Sequence, residues 1–187
     1  MAGSEAGDGV PVLVAYASAH GSTREIAERI AERLARAGHR VETYEVDGTV
    51  PPDPGRYHAV IIGSPVHDMR WVPEAAAYVH RHQAALERRR VWLFSVGMSE
   101  ALGRPFHARA VRHEPRDLPG LREVVHPEET RQFPGALRRR HLTPLGRVIF
   151  RAMGGRYGDH RDWDRVDAWA EAIVRGLPRA ERRRPPV

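Results

Sequence analysis

The chain has 187 residues, enough for one domain with a real hydrophobic core. Hydrophobic residues make up 41% and charged residues 29%, and no apolar run reaches membrane-spanning length, so a globular cytoplasmic protein is expected. Cysteine is absent, which removes disulfides, thiolate metal sites, iron–sulfur clusters and cysteine nucleophiles. The net charge is +6 and the pI about 10.6, carried by arginine. An Arg- and Ala-rich composition also follows from a GC-rich coding sequence, so basicity alone does not imply nucleic acid, and none is expected as a partner. Where the arginines cluster is the better guide.

Residues 1–10 are small and polar and are expected to be a disordered lead to a domain over 11–177. Residues 12–15 (VLVA) form an uncharged apolar run, as in a strand covered on both faces. A turn follows over 18–23 (SAHGST). From Arg24 the period becomes helical, with Ile26, Ala27, Ile30, Ala31 and Leu34 on one face and Gly38 as the stop. Residues 41–46 alternate and read as a second strand. Residues 57–63 (YHAVIIG) are a third, ending in a loop over 64–71. Pro73 suits the first turn of a helix to about residue 88, with Ala76, Ala77, Val79, Ala84 and Leu86 available for its buried side. Residues 91–96 (VWLFSV) are the fourth strand. Prolines break the pattern between 102 and 127, leaving short helices near 106–111 and 118–125. A last strand over 130–137 is limited by Pro134 to an edge or a strand end. A basic insertion (138–160) precedes a final helix over 162–177, whose stripe is Trp163, Val166, Trp169, Ala170, Ile173 and Val174. The tail, 178–187, is Arg and Pro and is expected to be disordered.

Alternating strands and helices imply parallel pairing with right-handed crossovers. Ligands of such sheets bind outside the carboxyl ends of the strands. The loops 18–23, 64–71 and 95–99 therefore converge on one edge. The first is suited to a phosphate: a helix N-terminus offers unpaired N–H groups and a positive dipole end, Gly21 permits close approach, and the hydroxyls can donate. A plain helix cap, with Ser22 or Thr23 as the capping residue, would read the same way.

YASAHGST, YHAVIIGSPVH and VWLFSVGM, in this order and spacing, resemble the flavodoxin-like fold that binds FMN. Within it, FPGAL, a basic segment and RAMGGRYGDHRDWDRVDAWAEAI resemble the menaquinone-dependent protoporphyrinogen IX dehydrogenase group. The resemblance implies an α/β fold with a five-stranded parallel sheet in the order 2-1-3-4-5, helices on both faces, and FMN as cofactor. It places the phosphate on Ser18, His20, Gly21, Ser22 and Thr23, with His20 where relatives often carry a hydroxyl. It lines one side of the flavin ring with Ser64, Pro65, Val66, His67 and Asp68, and the other with Ser95, Val96, Gly97 and Met98. Trp71 either stacks on the ring or anchors its helix. His67 is the histidine expected to donate to, or shield, the flavin. No metal site is expected. Flavin carries the redox chemistry, so no protein nucleophile is required.

The insertion has two functional readings and one plain one. Leu142, Leu145, Ile149 and Met153 fall at helical spacing among arginines, and Arg147, Phe150 and Arg151 are the expected contact residues. Such a helix can lie peripherally on the inner face of an anionic membrane, cover a porphyrinogen-like substrate, or simply pack on the sheet edge. The whole chain then reads as an FMN oxidoreductase passing electrons from a reduced tetrapyrrole to a quinone. The alternatives are a flavodoxin-like carrier, or a binding module that has lost the flavin.

Overall fold

The computed structural model describes residues 10–98, 101 and 114–178. The elements in chain order are β1 (Pro11–Tyr16), α1 (Ser22–Arg36), β2 (Arg40–Glu45), β3 (Ala59–His67), β4 (Arg70–Trp71), α2 (Pro73–Arg81), α3 (Gln83–Leu86), β5 (Arg90–Gly97), α4 (Leu118–Val125), β6 (Glu129–Pro134), β7 (Ala136–Leu137), α5 (Pro144–Ala152), β8 (Gly158–Asp159) and α6 (Trp163–Gly176). The sheet runs β2-β1-β3-β5-β6, every one of these pairs parallel. The two-residue β4 folds back antiparallel on β3, and β7 pairs with β8 in a separate ribbon. Leaving the β4 return out of the count, this is the expected order 2-1-3-4-5.

The continuous apolar runs have a simple cause: both sheet faces are covered. Val12, Val14, Ile61, Phe94 and Val96 point to one side, against Ile26, Ile30 and Leu34 of α1 and Val166, Trp169 and Ile173 of α6. Leu13, Ala15, Val60, Ile62 and Leu93 point to the other, against α2, α3 and α4. Phe94, Phe133 and Trp169 meet edge to face with centroids 5.5–6.2 Å apart, which fills the centre of the first layer. Asp167 of α6 joins the helices of that layer by accepting from Arg29 Nε at 2.7 Å and from Arg33. Among the described residues no helix is long and apolar enough to cross a membrane.

Several boundaries differ from the sequence reading. Ser64, Pro65 and Val66 suggest a loop, yet β3 continues through them to His67, because β5 runs alongside and pairs Ser64 with Ser95 and Pro65 with Val96. The helix expected over 73–88 breaks at His82 into α2 and α3, and its buried face is Ala75, Tyr78, Val79 and Leu86, with Ala77 and Ala84 exposed. The last strand stops at Pro134, which still pairs with Gly97; Gly135 N–H donates to the Gly97 carbonyl at 2.8 Å, and Ala136–Leu137 then turns away as β7. The helix expected near 106–111, and nearly all of the expected lead and tail, lie outside the described residues.

Gly63 packs directly under the ring of fully buried Phe94, and a Cβ there would enter that ring. Gly63→Ala is expected to cost about 1–3 kcal/mol by overpacking, read by urea denaturation. The arginines beside Asp167 hold its carboxyl well below the usual carboxylate range, Arg29 more than Arg33. Its contribution is therefore present above the unfolded pKa of about 3.9 and is lost as pH falls toward the folded value. Asp167→Asn is expected to lower Tm by roughly 2–5 °C at neutral pH, and the gap to the parent protein should close in acid, below about pH 4.

Candidate functional site

The carboxyl ends of β1, β3 and β5 open on a cavity of ≈ 260 Å³. The turn before α1 supplies Ala19, His20, Ser22 and Thr23 to its wall; the end of β3 supplies Pro65, Val66, His67 and Asp68; the end of β5 supplies Val96, Gly97 and Met98. These are the three stretches expected to converge; Ser99 of the third lies outside the described residues. A fourth wall was not anticipated. Gly135, Ala136 and Leu137 follow β6, and His141 and Leu142 come from the insertion.

At the first wall, Gly21 precedes α1 with φ +92°, a conformation that favours glycine. Neither Ser22 nor Thr23 caps the helix. Ser18 Oγ does, accepting from the N–H groups of Gly21 at 3.1 Å and Arg24 at 3.4 Å. Ser22 Oγ instead accepts from Ala136 N–H at 3.0 Å, tying β7 to α1. The N–H groups of Ser22 and Thr23 lie in the first turn, where no intrahelical acceptor exists, and the dipole adds positive potential there. That is an anion cradle built from backbone.

Ser64, Ser95 and Trp71 stand behind the cavity rather than in its lining. Ser64 Oγ accepts from Val72 N–H at 3.1 Å and donates to the Pro65 carbonyl at 2.8 Å. Ser95 Oγ accepts from the Trp71 indole at 2.8 Å, and Trp71 N–H donates to Asp117 at 3.0 Å. Trp71 is only 3% exposed. It is the anchor of the two readings, pinning the β3–β4 hairpin, and it cannot stack on a ligand in this cavity. The hairpin turns through Asp68 and Met69, both with left-handed φ of 48° and 61°, and so presents His67 and Asp68 to the cavity. Ser18 and Gly21 likewise shape the wall without lining it.

Three histidines meet here. His20 stacks on His141 with centroids 4.2 Å apart and planes within 11°, and His67 lies 6.2 Å from His20. His141 Nδ1 accepts from Arg138 N–H at 3.2 Å. Burial first, then His20, Arg140 and Arg138, push the His141 pKa below its ordinary value. Sequence spacing could not pair residues so far apart in the chain.

The insertion is fixed by Phe150, which is 3% exposed and packs with Ala101, Leu137 and Tyr157. Phe150 is thus a core side chain and not a surface contact. Gly155 lies on its ring so closely that a Cβ would collide. Arg147 also departs from expectation: it folds back, and its Nε donates to the carbonyls of Arg139 at 3.0 Å and Leu142 at 3.1 Å, bracing the turn that carries His141. Arg151 is exposed. Among the described residues no group of three or more His, Asp or Glu side chains is arranged to hold a metal ion.

The sequence matches the flavodoxin domain family over residues 13–164. The chain belongs to that family. Flavodoxin-domain proteins bind FMN. A search of curated proteins finds no significant match. Among solved structures, an archaeal flavodoxin aligns with TM-score 0.59 and 11% identity over 89% of this chain and 97% of its own. Flavodoxin 2 from Bacillus cereus gives 0.54 and 21% over 89% and 99%. Rubredoxin oxygen:oxidoreductase from Desulfovibrio gigas gives 0.59 and 15% over 89% of this chain but 36% of that one, so this chain spans about a third of that protein. At these identities the likeness is one of fold.

The cavity of this flavodoxin domain has the donor set that FMN requires. Backbone N–H groups at Ser22 and Thr23 suit its phosphate, and the apolar lining given by Pro65, Val66, Val96 and Leu137 suits a flat ring. Trp71→Phe is expected to leave the spectrum of added FMN and its affinity within about twofold of the parent protein, while lowering stability by about 1–3 kcal/mol because Ser95 loses its buried partner. Fluorescence titration and urea denaturation read the two effects separately.

Proposed function

We propose that this protein is an FMN-dependent oxidoreductase of the protoporphyrinogen IX dehydrogenase (quinone) type. It would take two electrons from a reduced tetrapyrrole or similar substrate and pass them to a quinone. The observation that carries the reading is the fourth wall: Leu137, His141 and Leu142 bring the insertion onto the cavity. A segment added to the fold and folded over the cofactor cavity is what a substrate-handling enzyme needs. FPGAL, which supplies Gly135, Ala136 and Leu137 of that wall, and RAMGGRYGD, which ends α5, are the motifs that resemble the dehydrogenase group.

FMN, when bound, supplies the two-electron acceptor chemistry. The chain's own residues bind and orient. Ser22 and Thr23 would hold the phosphate, Pro65 to Asp68 and Val96 to Met98 would bind the ring, and His67 would act as donor or shield. The His20–His141 stack closes the cavity between the phosphate loop and the insertion. A flavodoxin-like carrier without a substrate of its own is the second reading, favoured by alignment with single-domain flavodoxins over nearly their full length. The pI of about 10.6 argues against it, since carriers of that kind tend to be acidic.

The test begins with the absorbance spectrum of purified protein and an FMN titration. Next comes anaerobic turnover of protoporphyrinogen IX with a menaquinone analogue. Flavin uptake with turnover is expected. Flavin uptake without turnover, but with electron delivery to a protein acceptor, would assign the carrier role. Colourless protein that takes up no FMN would remove both. His67→Ala is expected to weaken FMN binding on the order of 3- to 10-fold, about 1 kcal/mol, or to shift its spectrum, at unchanged Tm. An unaltered spectrum, affinity and potential would remove His67 from the site.

A further inference from the structure

We infer that His141, carried by the insertion, is a cofactor-binding residue: its Nε2–H donates to the phosphate end of bound FMN and completes the anion cradle at the start of α1. The inference rests on FMN as the cofactor and not on the dehydrogenase reading.

The cradle leaves room for a further donor. A terminal phosphate presents three strong acceptor oxygens and carries nearly two negative charges at neutral pH. Several groups of the turn before α1 are already engaged. Ser18 Oγ takes the N–H groups of Gly21 and Arg24 at 3.1 and 3.4 Å. Ser22 Oγ accepts from Ala136 N–H at 3.0 Å. On Ser22 and Thr23, which line the cavity, these bonds leave the two backbone N–H groups and the Thr23 hydroxyl. A phosphate held there keeps acceptor capacity for a donor from another segment.

The insertion brings one. The His141 ring lies flat on His20, the residue just before Gly21, with centroids 4.2 Å apart and planes within 11°. The stack uses a face of the ring and leaves its edge. Nδ1 on that edge accepts from Arg138 N–H at 3.2 Å. A backbone N–H can only donate, so Nδ1 is the bare nitrogen and the neutral ring carries its proton on Nε2. The lowered pKa of His141, caused first by burial, favours this neutral ring. Nε2 has no protein partner among the described residues, and His141 lines the same cavity as Ser22 and Thr23.

Charge and rigidity support the same assignment. Arg138 and Arg140 act on the ring as positive neighbours, and the field that disfavours a proton there attracts an anion. The turn is held from behind. Arg147 Nε donates to the carbonyls of Arg139 at 3.0 Å and Leu142 at 3.1 Å, and Phe150 packs against Leu137. The donor is therefore positioned before the ligand arrives, which lowers the ordering cost of binding. Seating of residues 138–142 and capture of the phosphate become one event, and a flavin without the phosphate does not sense His141.

Calorimetric titration of the full chain with FMN, and with riboflavin, which lacks the phosphate, tests the inference. His141→Phe keeps a ring on His20 and removes the donor. His141→Gln removes the ring and keeps a side-chain N–H. The Phe variant should bind FMN about tenfold more weakly than the parent, with riboflavin affinity within about twofold. The Gln variant should bind FMN at least about threefold more tightly than the Phe variant. Urea denaturation of the flavin-free proteins checks that each variant is folded; should the Phe variant not fold, His141→Ala takes its place. Parent-level FMN affinity in the variant without the donor overturns the inference. So does an equal loss for FMN and riboflavin, which makes His141 a wall of the cavity only. A Gln variant no better than the Phe variant assigns the effect to ring shape and overturns it too. Parent protein that takes up no FMN removes the inference together with the cofactor. The expected FMN-selective loss in a protein that does not turn over protoporphyrinogen supports the inference and removes the dehydrogenase reading alone.

Discussion

Parallel pairing of β3 with β5, carried to the last residues of both strands, is the constraint on which the site depends. The ladder runs from Ala59–Arg90 through Ser64–Ser95 to Pro65–Val96, so both strands deliver their ends to one place on the carboxyl edge. Burial on both faces enforces that register, since a one-residue slip would send Ile61 and Phe94 to the layer that Ile62 and Leu93 occupy. Gly63 and Phe94 make it stricter still, because only a residue without Cβ leaves room for that ring. The cavity is what remains between the strand ends once this packing is satisfied.

Behind the cavity, polar side chains hold its walls. Ser64, Ser95, Trp71 and Asp117 form a chain of hydrogen bonds that pins the β3–β4 hairpin to β5 and to the start of α4. Ser18 secures the phosphate loop, and Ser22 ties the loop to β7. The hydroxyls of Ser18, Ser22, Ser64 and Ser95, which suggest ligand contacts in the linear sequence, bond backbone and indole groups, and the cavity keeps Thr23, backbone N–H groups, apolar walls and three histidines. This division is economical: buried hydroxyls fix shape, while helix-terminal N–H groups provide an anion site that needs no side-chain reorganisation.

The insertion serves two directions at once. Inward, Phe150 and Arg147 brace a turn that places His141 and Leu142 on the cavity and stacks His141 on His20. Outward, the same short helix leaves Leu145, Val148 and Ile149 exposed among arginines. One segment therefore links the cavity to an exposed apolar surface.

Much of the fold was legible from periodicity. Nearly continuous apolar runs at 12–15, 57–63 and 91–96 mark strands buried on two faces, and the stripes of α1 and α6 mark the helices that cover one of those faces. The turn at 18–23 was legible as an anion site because strand, glycine and helix lie consecutively in the chain, and local order is what sequence encodes directly. Which side of the 73–86 segment faces the core was not legible, since an alanine-rich helix offers several nearly equivalent faces and only the neighbouring α4 and sheet choose among them. Trp71 could not be assigned as anchor or platform, because its partners Ser95 and Asp117 come from distant strands and helices. The same holds for Phe150 within a basic helix and for the meeting of His20 with His141. By itself the sequence determined the alternation of elements, the buried strands and the glycine turn before α1, all properties of contiguous residues. Tertiary structure alone decided which side chains face the cavity, which support it and which remain in solvent, because those depend on contacts between segments whose separation along the chain carries no periodic signal.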